Sequence, residues 1–168
     1  MIPIALDPAR VRMGLTGRGP QADRRLRLLR GGGADVRICT ERSSDEELGR
    51  LHLLWIVGLP EADALALAER ARALGVLVNV EDVREGCDFH NVAEVRRGNL
   101  LLTVSTNGRS PGLAALIRGQ LAEMFGPEWG ERVERAASAR DAARASGRSM
   151  AEVAKETSLL VGAAGWLG

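Results

Sequence analysis

The chain contains no tyrosine, and aromatic residues of any kind make up only 3% of its 168 residues. Because proteins hold unpaired bases by stacking them on aromatic rings, this shortage argues against single-stranded nucleic acid as a ligand. The net charge of +1 provides no field that would attract a polyanionic duplex. Lysine is almost absent as well, since Lys155 is the only one. The remaining basic residues are arginines, which reflects either genome composition or a carboxylate-rich ligand.

Long hydrophobic runs are also missing. No apolar segment approaches the ~18 residues of a membrane-spanning helix, and residues 1–6 lack the basic region and long apolar stretch of a secretory signal. We therefore expect no membrane association. The two cysteines, Cys39 and Cys87, indicate free thiols in a reducing compartment rather than a disulfide framework, so a cytoplasmic location is expected.

Apolar stretches of strand length alternate with helical patterns in the first half of the chain. Helices are predicted after residue 20, ending at the glycines 31–33, and at residues 61–74. A short polar connection at residues 43–50 has room for one helical turn. Strands are predicted at residues 11–16, 36–39, 51–57 and 76–80. The alternation predicts the α/β class, with a Rossmann-like parallel sheet and helices on both of its faces.

The second half leaves this pattern. Residues 89–95 and 99–104 flank Arg96-Arg97-Gly98 and predict a β-hairpin with the glycine at its turn. Two helices are predicted at residues 111–124 and 128–145, and a capping-box pattern at residues 149–152 opens a third. Their modest apolar faces are typical of helices that pack on a partner subunit. The change of pattern divides the chain into residues 1–88, 89–112 and 113–168.

A glycine-rich turn joins the first strand to the first helix. Residues 17–22 read Gly-Arg-Gly-Pro-Gln-Ala, and Glu41 lies about 20 residues beyond the first glycine. This spacing is typical of a dinucleotide site, in which the backbone approaches a pyrophosphate and an acidic group meets the ribose hydroxyls. Pro20 removes one of the backbone donors. The alternative interpretation is an ordinary packing turn between strand and helix.

Asp82 directly follows the strand predicted at residues 76–80. Ligands of open α/β sheets bind beyond the carboxyl ends of the strands, so this carboxylate is placed to act as a general base or a metal partner. The alternative is a turn aspartate in an acidic surface loop. His52 and His90 lie far apart without the spacing of metal ligands, and no Cys/His metal site is predicted.

A second polar turn follows the strand at residues 99–104. It ends in front of a helix with Ser110 as its N-cap and Pro111 at the first helical position. Backbone N–H groups and the helix dipole favour an anion at such a place. The alternative is a plain connection with a good cap. The residues of the turn are Ser105, Thr106, Asn107, Gly108 and Arg109.

Three segments together resemble the precorrin-2 dehydrogenase/sirohydrochlorin ferrochelatase family, the N-terminal module of siroheme synthase. They are residues 17–25, residues 79–82 with 87–89, and residues 95–98 continuing to 105–111, of which the last is the most specific. The resemblance runs from about residue 3 to about residue 145. It implies an NAD-binding Rossmann domain at residues 1–88, a dimerisation region at 89–112 and a helical C-terminal domain at 113–168, assembled as a homodimer.

The resemblance also implies an activity and its residues. The activity is NAD-dependent oxidation of precorrin-2 to sirohydrochlorin and, in many members, insertion of ferrous iron into the product. The catalytic aspartate of the family falls on Asp82, and the turn at residues 105–109 lines the tetrapyrrole cleft, so we expect the two to face each other across one groove. No protein metal ligands are implied, because the macrocycle nitrogens hold the iron. The NAD contacts fall near Gly17, Gly19, Pro20, Gln21, Glu41 and Arg42.

Three departures from the family pattern lie on the dinucleotide side. The first strand contains Gly14 and ends in Thr16-Gly-Arg-Gly. Residues 58–60 read Gly-Leu-Pro, where the family often has Ala-Thr-Asp or Asn. The connection at residues 43–51 is shorter than is usual in the family. They motivate an alternative function, a tetrapyrrole-binding or chelatase-only homologue without NAD chemistry. A third hypothesis is a Rossmann reductase for another substrate.

Overall fold

A four-stranded parallel sheet organises the first part of the chain. The computed structural model describes residues 2–167 and separates them into two units, with the boundary between Asn91 and Val92. The sheet has the strand order β2-β1-β3-β4, in which every neighbouring pair is parallel. Its strands are β1 (Met13–Gly17), β2 (Val36–Cys39), β3 (Leu53–Val57) and β4 (Leu77–Val80).

Helices cover both faces of this sheet. The helices are α1 (Gly19–Gly31), α2 (Asp45–Gly49) and α3 (Glu61–Ala73), and a 3₁₀ turn spans Arg84–Gly86. Side chains along β3 alternate between the faces, so Trp55 packs with the residues of α1 while Ile56 packs with those of α2 and α3. All five residues of β3 are buried, as expected for a strand covered on both sides. The predicted fold class is therefore confirmed.

The strand order creates a switch point at the carboxyl ends of β1 and β3. From β1 the chain crosses to β2 on one side, and it later returns to β3 on the other side of β1. The helices that follow these two strands, α1 and α3, lie on opposite faces of the sheet and leave a crevice at its edge, which is where open α/β sheets bind their ligands. Gly14, unusual within a strand, has a local cause. A Cβ there would lie 2.5 Å from Cδ1 of Leu51, so the glycine makes room for that buried leucine.

A hairpin and three helices form the second unit. The antiparallel hairpin pairs β5 (Ala93–Arg97) with β6 (Leu100–Val104), and Gly98 at its turn has φ +54°. Few apolar residues of the second unit are buried, and they are Val95, Ala114, Ala143 and Val153. The helices are α4 (Pro111–Met124), α5 (Trp129–Ala145) and α6 (Met150–Ala163). The structure divides into two units, and the predicted division of the chain into three domains remains a prediction.

The first hairpin strand begins four residues later than predicted. Residues 89–92 are not strand, because packing in the first unit holds them elsewhere. The ring of Phe89 meets Trp55 edge-on, with 5.0 Å between centroids, and its carbonyl accepts a 2.8 Å hydrogen bond from the amide of Asn79. The Asn91 side chain donates to Asn79 at 2.9 Å and accepts from the indole of Trp55 at 2.9 Å. This partly buried network ties residues 89–91 to β3 and β4.

Across residues 2–167, no helix is both long and apolar enough to pass through a membrane.

Candidate functional site

Two glycines allow the backbone after β1 and the backbone after β3 to approach each other closely. A Cβ at Gly17 would overlap the carbonyl oxygen of Val57, and one at Gly58 would lie 2.6 Å from the carbonyl oxygen of Arg18. Gly58 and Gly19 have φ values of +68° and +81°, which other residues rarely adopt. Gly58, one of the departures from the family pattern, thus allows this contact because it carries no side chain. Next to Gly19, in contrast, there is open space.

The N-terminus of α1 opens beside these glycines without a side-chain cap. Arg18 occupies the N-cap position with extended backbone, and its side chain makes no capping hydrogen bond. Pro20 lies in the first turn, where its missing N–H removes nothing that the helix would use. An uncapped N-terminus that starts at a glycine with free space beside it fits a pyrophosphate, because the helix dipole and unpaired N–H groups favour negative charge.

Glu41 lies beyond the end of β2 and is engaged by an arginine of the glycine-rich turn. One Nη of Arg18 lies 2.6 Å from a carboxylate oxygen of Glu41. Both side chains are solvent-exposed, at 70% for Arg18 and 42% for Glu41. The structure therefore brings the predicted ribose-binding carboxylate into contact with the predicted pyrophosphate turn. Sequence reasoning missed Arg18, although its position between Gly17 and Gly19 was a signal that could have been used.

A cleft of about 240 Å³ lies at the ends of β3 and β4. Pockets that enclose a whole small molecule measure ~300–1,000 Å³, so this cleft accommodates one part of a ligand. Gln21 of α1 and Asp82 both contribute to its walls, which brings a predicted cofactor residue and the predicted catalytic residue into one place. The other lining residues come from the loop after β3, the start of α3 and the end of β4.

Asp82 is exposed and adopts a left-handed backbone conformation, with φ +65°. Among residues 2–167 only one other non-glycine residue, Asn107, has positive φ, and it lies in the other predicted site turn. Asp and Asn tolerate this conformation better than most residues, yet it still has an energetic cost that the surroundings must offset. Such conformations concentrate at functional sites, which supports both turns as candidates.

Ion pairs hold the segment that carries Asp82. Arg25 of α1 reaches Glu81 at 3.5 Å, and the buried Nε of this arginine has no partner among the described residues. On the other side of the loop, Asp88 accepts hydrogen bonds from the Val78 N–H at 2.9 Å and from Nε of Arg72 at 2.9 Å. The conformation of the loop is thus determined by contacts to α1, α3 and β4.

Cys87 belongs to this supporting structure. Its thiol lies within 3.3 Å of the carbonyl oxygens of Val80 and Val83 and of the Asn79 amide. Burial raises the pKa of the Cys87 thiol. The group is therefore protonated at neutral pH and holds the loop by hydrogen bonds, which fits a structural thiol better than a nucleophile.

In the second unit, the turn at residues 105–109 is ordered by its own side chains. The Ser105 hydroxyl accepts from the Asn107 N–H at 3.2 Å, and the Thr106 hydroxyl accepts from the Ser110 N–H at 3.1 Å. Ser110 caps α4 by accepting from the Leu113 N–H, as predicted. Within residues 2–167 the exposed guanidinium of Arg109 makes no hydrogen bond or ion pair, which leaves it available to an anionic ligand.

Within residues 2–167, no three His, Cys, Asp or Glu side chains lie close enough together to hold a metal ion. Nδ1 of His52 accepts a hydrogen bond from the Arg12 N–H at 3.1 Å, which gives this histidine a structural role. The expectation that the macrocycle itself holds any iron stays a prediction.

Comparisons with known proteins identify related sequences. Residues 97–124 match the family described as sirohaem biosynthesis protein, central. A siroheme synthase of Chromobacterium violaceum is 31% identical over 163 residues, which cover 85% of this chain and 35% of that protein. The siroheme biosynthesis protein met8 of Schizosaccharomyces pombe is 41% identical over 58 residues, which cover 34% and 22% of the two chains. The chain thus spans about a third or less of the curated relatives it matches.

A solved structure shares the fold. SirC, a precorrin-2 dehydrogenase, superposes with a TM-score of 0.72 at 17% sequence identity, covering 96% of this chain and 89% of that one. The predicted resemblance to proteins of siroheme biosynthesis is therefore confirmed, as is the predicted architecture. The assignments of individual site residues stay predictions.

Proposed function

Because the chain resembles siroheme biosynthesis proteins in sequence and a precorrin-2 dehydrogenase in fold, we propose that it oxidises precorrin-2 to sirohydrochlorin with NAD. One observation carries the proposal. The glycine-rich turn and Asp82 border the same end of the sheet, with Gln21 and Asp82 lining one cleft. The proposed dinucleotide site and Asp82, the proposed proton acceptor, are therefore neighbours within the first unit.

The residues of the first unit suit the cofactor. The uncapped N-terminus of α1, with Gly17, Gly19, Pro20 and Gln21, would hold the pyrophosphate. Glu41 and Arg42 would contact the ribose beyond the end of β2. NAD, when bound, supplies the acceptor for two electrons.

Asp82 has the role of the proton acceptor. Oxidation of precorrin-2 removes two electrons and two protons, and one proton leaves the substrate without the electrons. The exposed carboxylate at the cleft is free to take that proton and return it to water. The same group suits insertion of ferrous iron, in which pyrrole protons must leave as the metal enters. We therefore include ferrochelatase activity in the proposal, with ferrous iron as a substrate.

The second unit would bind the substrate. Precorrin-2 carries eight carboxylates, and the turn at residues 105–109 offers the exposed Asn107 amide and the unpaired guanidinium of Arg109. Arginine forks bind carboxylates with two parallel hydrogen bonds, which makes this turn a suitable anchor for a substrate side chain.

The assembly is proposed to be a homodimer formed through the second unit. Exposed apolar residues on α4 support this assignment, since Leu116 is 72% exposed and Met124 is 70% exposed. Side chains of this kind cluster where a protein binds a partner. The free thiols of Cys39 and Cys87 support a reducing, cytoplasmic setting.

An absorbance time course tests the proposal. Purified protein is mixed with precorrin-2 with and without NAD, and ferrous iron is added once the spectrum is constant. We expect sirohydrochlorin to form only with NAD, followed by the siroheme spectrum after iron. An NAD-independent spectral shift on binding, without oxidation, would instead support the alternative of a tetrapyrrole-binding homologue. Iron insertion into added sirohydrochlorin without any dehydrogenation would support a chelatase-only protein.

A further inference from the structure

The pairing of Glu41 with Arg18 changes the charge of the ribose subsite. In a dinucleotide site of this fold, an unpaired carboxylate after the second strand accepts hydrogen bonds from the ribose hydroxyls and repels a 2′-phosphate. Here that carboxylate lies 2.6 Å from a guanidinium of the turn between Gly17 and Gly19. The negative charge that would repel a 2′-phosphate is therefore paired with a positive charge.

The residue that follows Glu41 in the sequence is a second arginine. Arg42 is exposed, and its guanidinium has no hydrogen bond or ion pair within residues 2–167. Arg37, the other arginine near the end of β2, is in contrast occupied by Glu47 at 2.9 Å. The formal charge of the group formed by Arg18, Glu41 and Arg42 is thus +1, where a lone ribose-binding carboxylate would give −1.

The turn that carries these side chains is held in place. The Thr40 hydroxyl accepts from the Arg42 N–H at 3.2 Å, and the buried Ser43 hydroxyl accepts from the Thr40 N–H at 3.1 Å. The backbone around Glu41 is consequently ordered before any ligand binds. Only the long arginine side chains need to move, and an exposed ion pair such as Arg18 with Glu41 opens readily.

We infer that Arg18 is a specificity-determining residue of the dinucleotide site, which through its contact with Glu41 and together with Arg42 allows the site to accept NADP as well as NAD. With NAD, the Glu41 carboxylate contacts the ribose hydroxyls while Arg18 stays beside it. With NADP, the guanidinium groups of Arg18 and Arg42 turn to the 2′-phosphate, which guanidinium forks bind well. The inference rests on the proposed function, because it concerns the same dinucleotide site.

Calorimetric titration of the full chain with NAD⁺ and with NADP⁺, at one fixed ionic strength, tests this. For the wild-type chain we expect the two dissociation constants to agree within about tenfold, since neither charge sign dominates the subsite. Arg18→Ala should weaken NADP⁺ by about tenfold or more, because the freed carboxylate faces the phosphate, and should leave NAD⁺ nearly unchanged. Glu41→Gln should weaken NAD⁺ and leave NADP⁺ unchanged or tighter. Arg27→Ala, which removes an exposed α1 arginine without a partner in the described chain, should leave both constants unchanged.

The outcomes separate the two proposals. A wild-type preference for NAD⁺ greater than about tenfold, or an Arg18→Ala chain with an unaltered preference, would overturn the role of Arg18 while leaving NAD-dependent oxidation intact. Binding of neither dinucleotide would overturn the dehydrogenase proposal itself, and the inference with it. Equal loss of both ligands in Arg18→Ala would show that the arginine holds the turn and does not select between the cofactors, which also overturns the inference.

Discussion

The two units of the chain differ in how much apolar surface they bury by themselves. In the first unit, both faces of the sheet carry a continuous apolar cluster, and Leu54 and Val57 of β3 are completely inaccessible. In the second unit, α4 buries only Ala114, and α5 and α6 bury one residue each. The sheet of the first unit is covered on both faces, whereas the helices of the second unit leave apolar side chains exposed. The proposed division, with a rigid site in the first unit and assembly and substrate binding in the second, agrees with this difference.

The largest effect is expected from Asp82→Asn, which tests whether the first unit carries the chemistry. Activity should fall by about 10²–10⁴, the usual contribution of a general base. Stability should hardly change, because asparagine also tolerates the left-handed conformation at this exposed position. The measurements are initial rates of precorrin-2 oxidation and a thermal denaturation curve.

Asp35→Asn is the matched control for that experiment. Asp35 is an exposed carboxylate before β2, without a hydrogen bond or ion pair in the described chain. The control should keep full activity. Wild-type turnover in Asp82→Asn would show that Asp82 does not act as the general base of the reaction.

Gly19→Val is expected to have the next largest effect. A β-branched residue at φ +81° costs about 1–3 kcal/mol, and its side chain would occupy the open space in front of α1. NAD affinity should fall by at least about tenfold, while binding of the tetrapyrrole, measured by its absorbance change, should be largely retained. Gly31→Ala serves as control, because nothing lies near that glycine and its φ is not positive. Equal losses of both ligands in Gly19→Val would contradict the assignment of cofactor and substrate to different turns.

The assembly role of the second unit is tested by Leu116→Glu. A charge on this exposed side chain of α4 should cost the isolated chain almost nothing, but should weaken a dimer that buries it by about tenfold or more. Sedimentation velocity across a concentration series measures the shift. Ala115→Glu places the same charge at an exposed position on another side of α4, away from Leu116 and Met124, and should leave the dimer intact. A wild-type chain that stays monomeric at every concentration would reject the proposed homodimer.

The smallest effect concerns the capping box of α6. The Ser149 hydroxyl accepts from the Glu152 N–H, and Glu152 bonds back to Ser149. Ser149→Ala should lower stability by about 1 kcal/mol, and hydrogen exchange should show the loss in α6 and not in the β sheet of the first unit. Ser158→Ala, on the same helix, removes only a hydroxyl that bonds back to Ala154 and should be near neutral. Faster exchange throughout the first unit would contradict the independence of the two units.

The stability that this capping box gives to α6 depends on pH, and the lowered pKa of Glu152 determines the direction. Hydrogen bonds from the Ser149 side chain and backbone lower the pKa of Glu152 below its ordinary 4.5. The stabilisation is therefore fully present above pH 4.5 and is lost as the pH falls through the lowered pKa of the folded chain. In Ser149→Ala this acid sensitivity of α6 should be reduced, which exchange rates measured at pH 3 and pH 6 would show. An unaltered difference between the two pH values would exclude the box as its source.

Much of the fold could be predicted because its signals are local. Alternating apolar runs and helical patterns located all four strands and the helices of the first unit, and Ser110 and Ser149 correctly placed the starts of α4 and α6. Element ends were less accurate. The clearest error is the first hairpin strand, where Phe89 and Asn91 are held by Asn79 and Trp55 of the first unit and not by β6.

By itself the sequence determined the α/β architecture, the glycine-rich turn at Gly17 and Gly19 between β1 and α1, and the position of Asp82 after β4. These depend on periodicity, on caps and on glycine, all of which act over a few residues. Only the tertiary structure decided three contacts. The Arg18 carbonyl approaches Gly58 where a side chain would leave no room, Arg18 forms an ion pair with Glu41, and Arg25 forms one with Glu81. Each of these contacts joins residues more than twenty positions apart, and packing of the sheet and helices, which no local pattern encodes, brings them together.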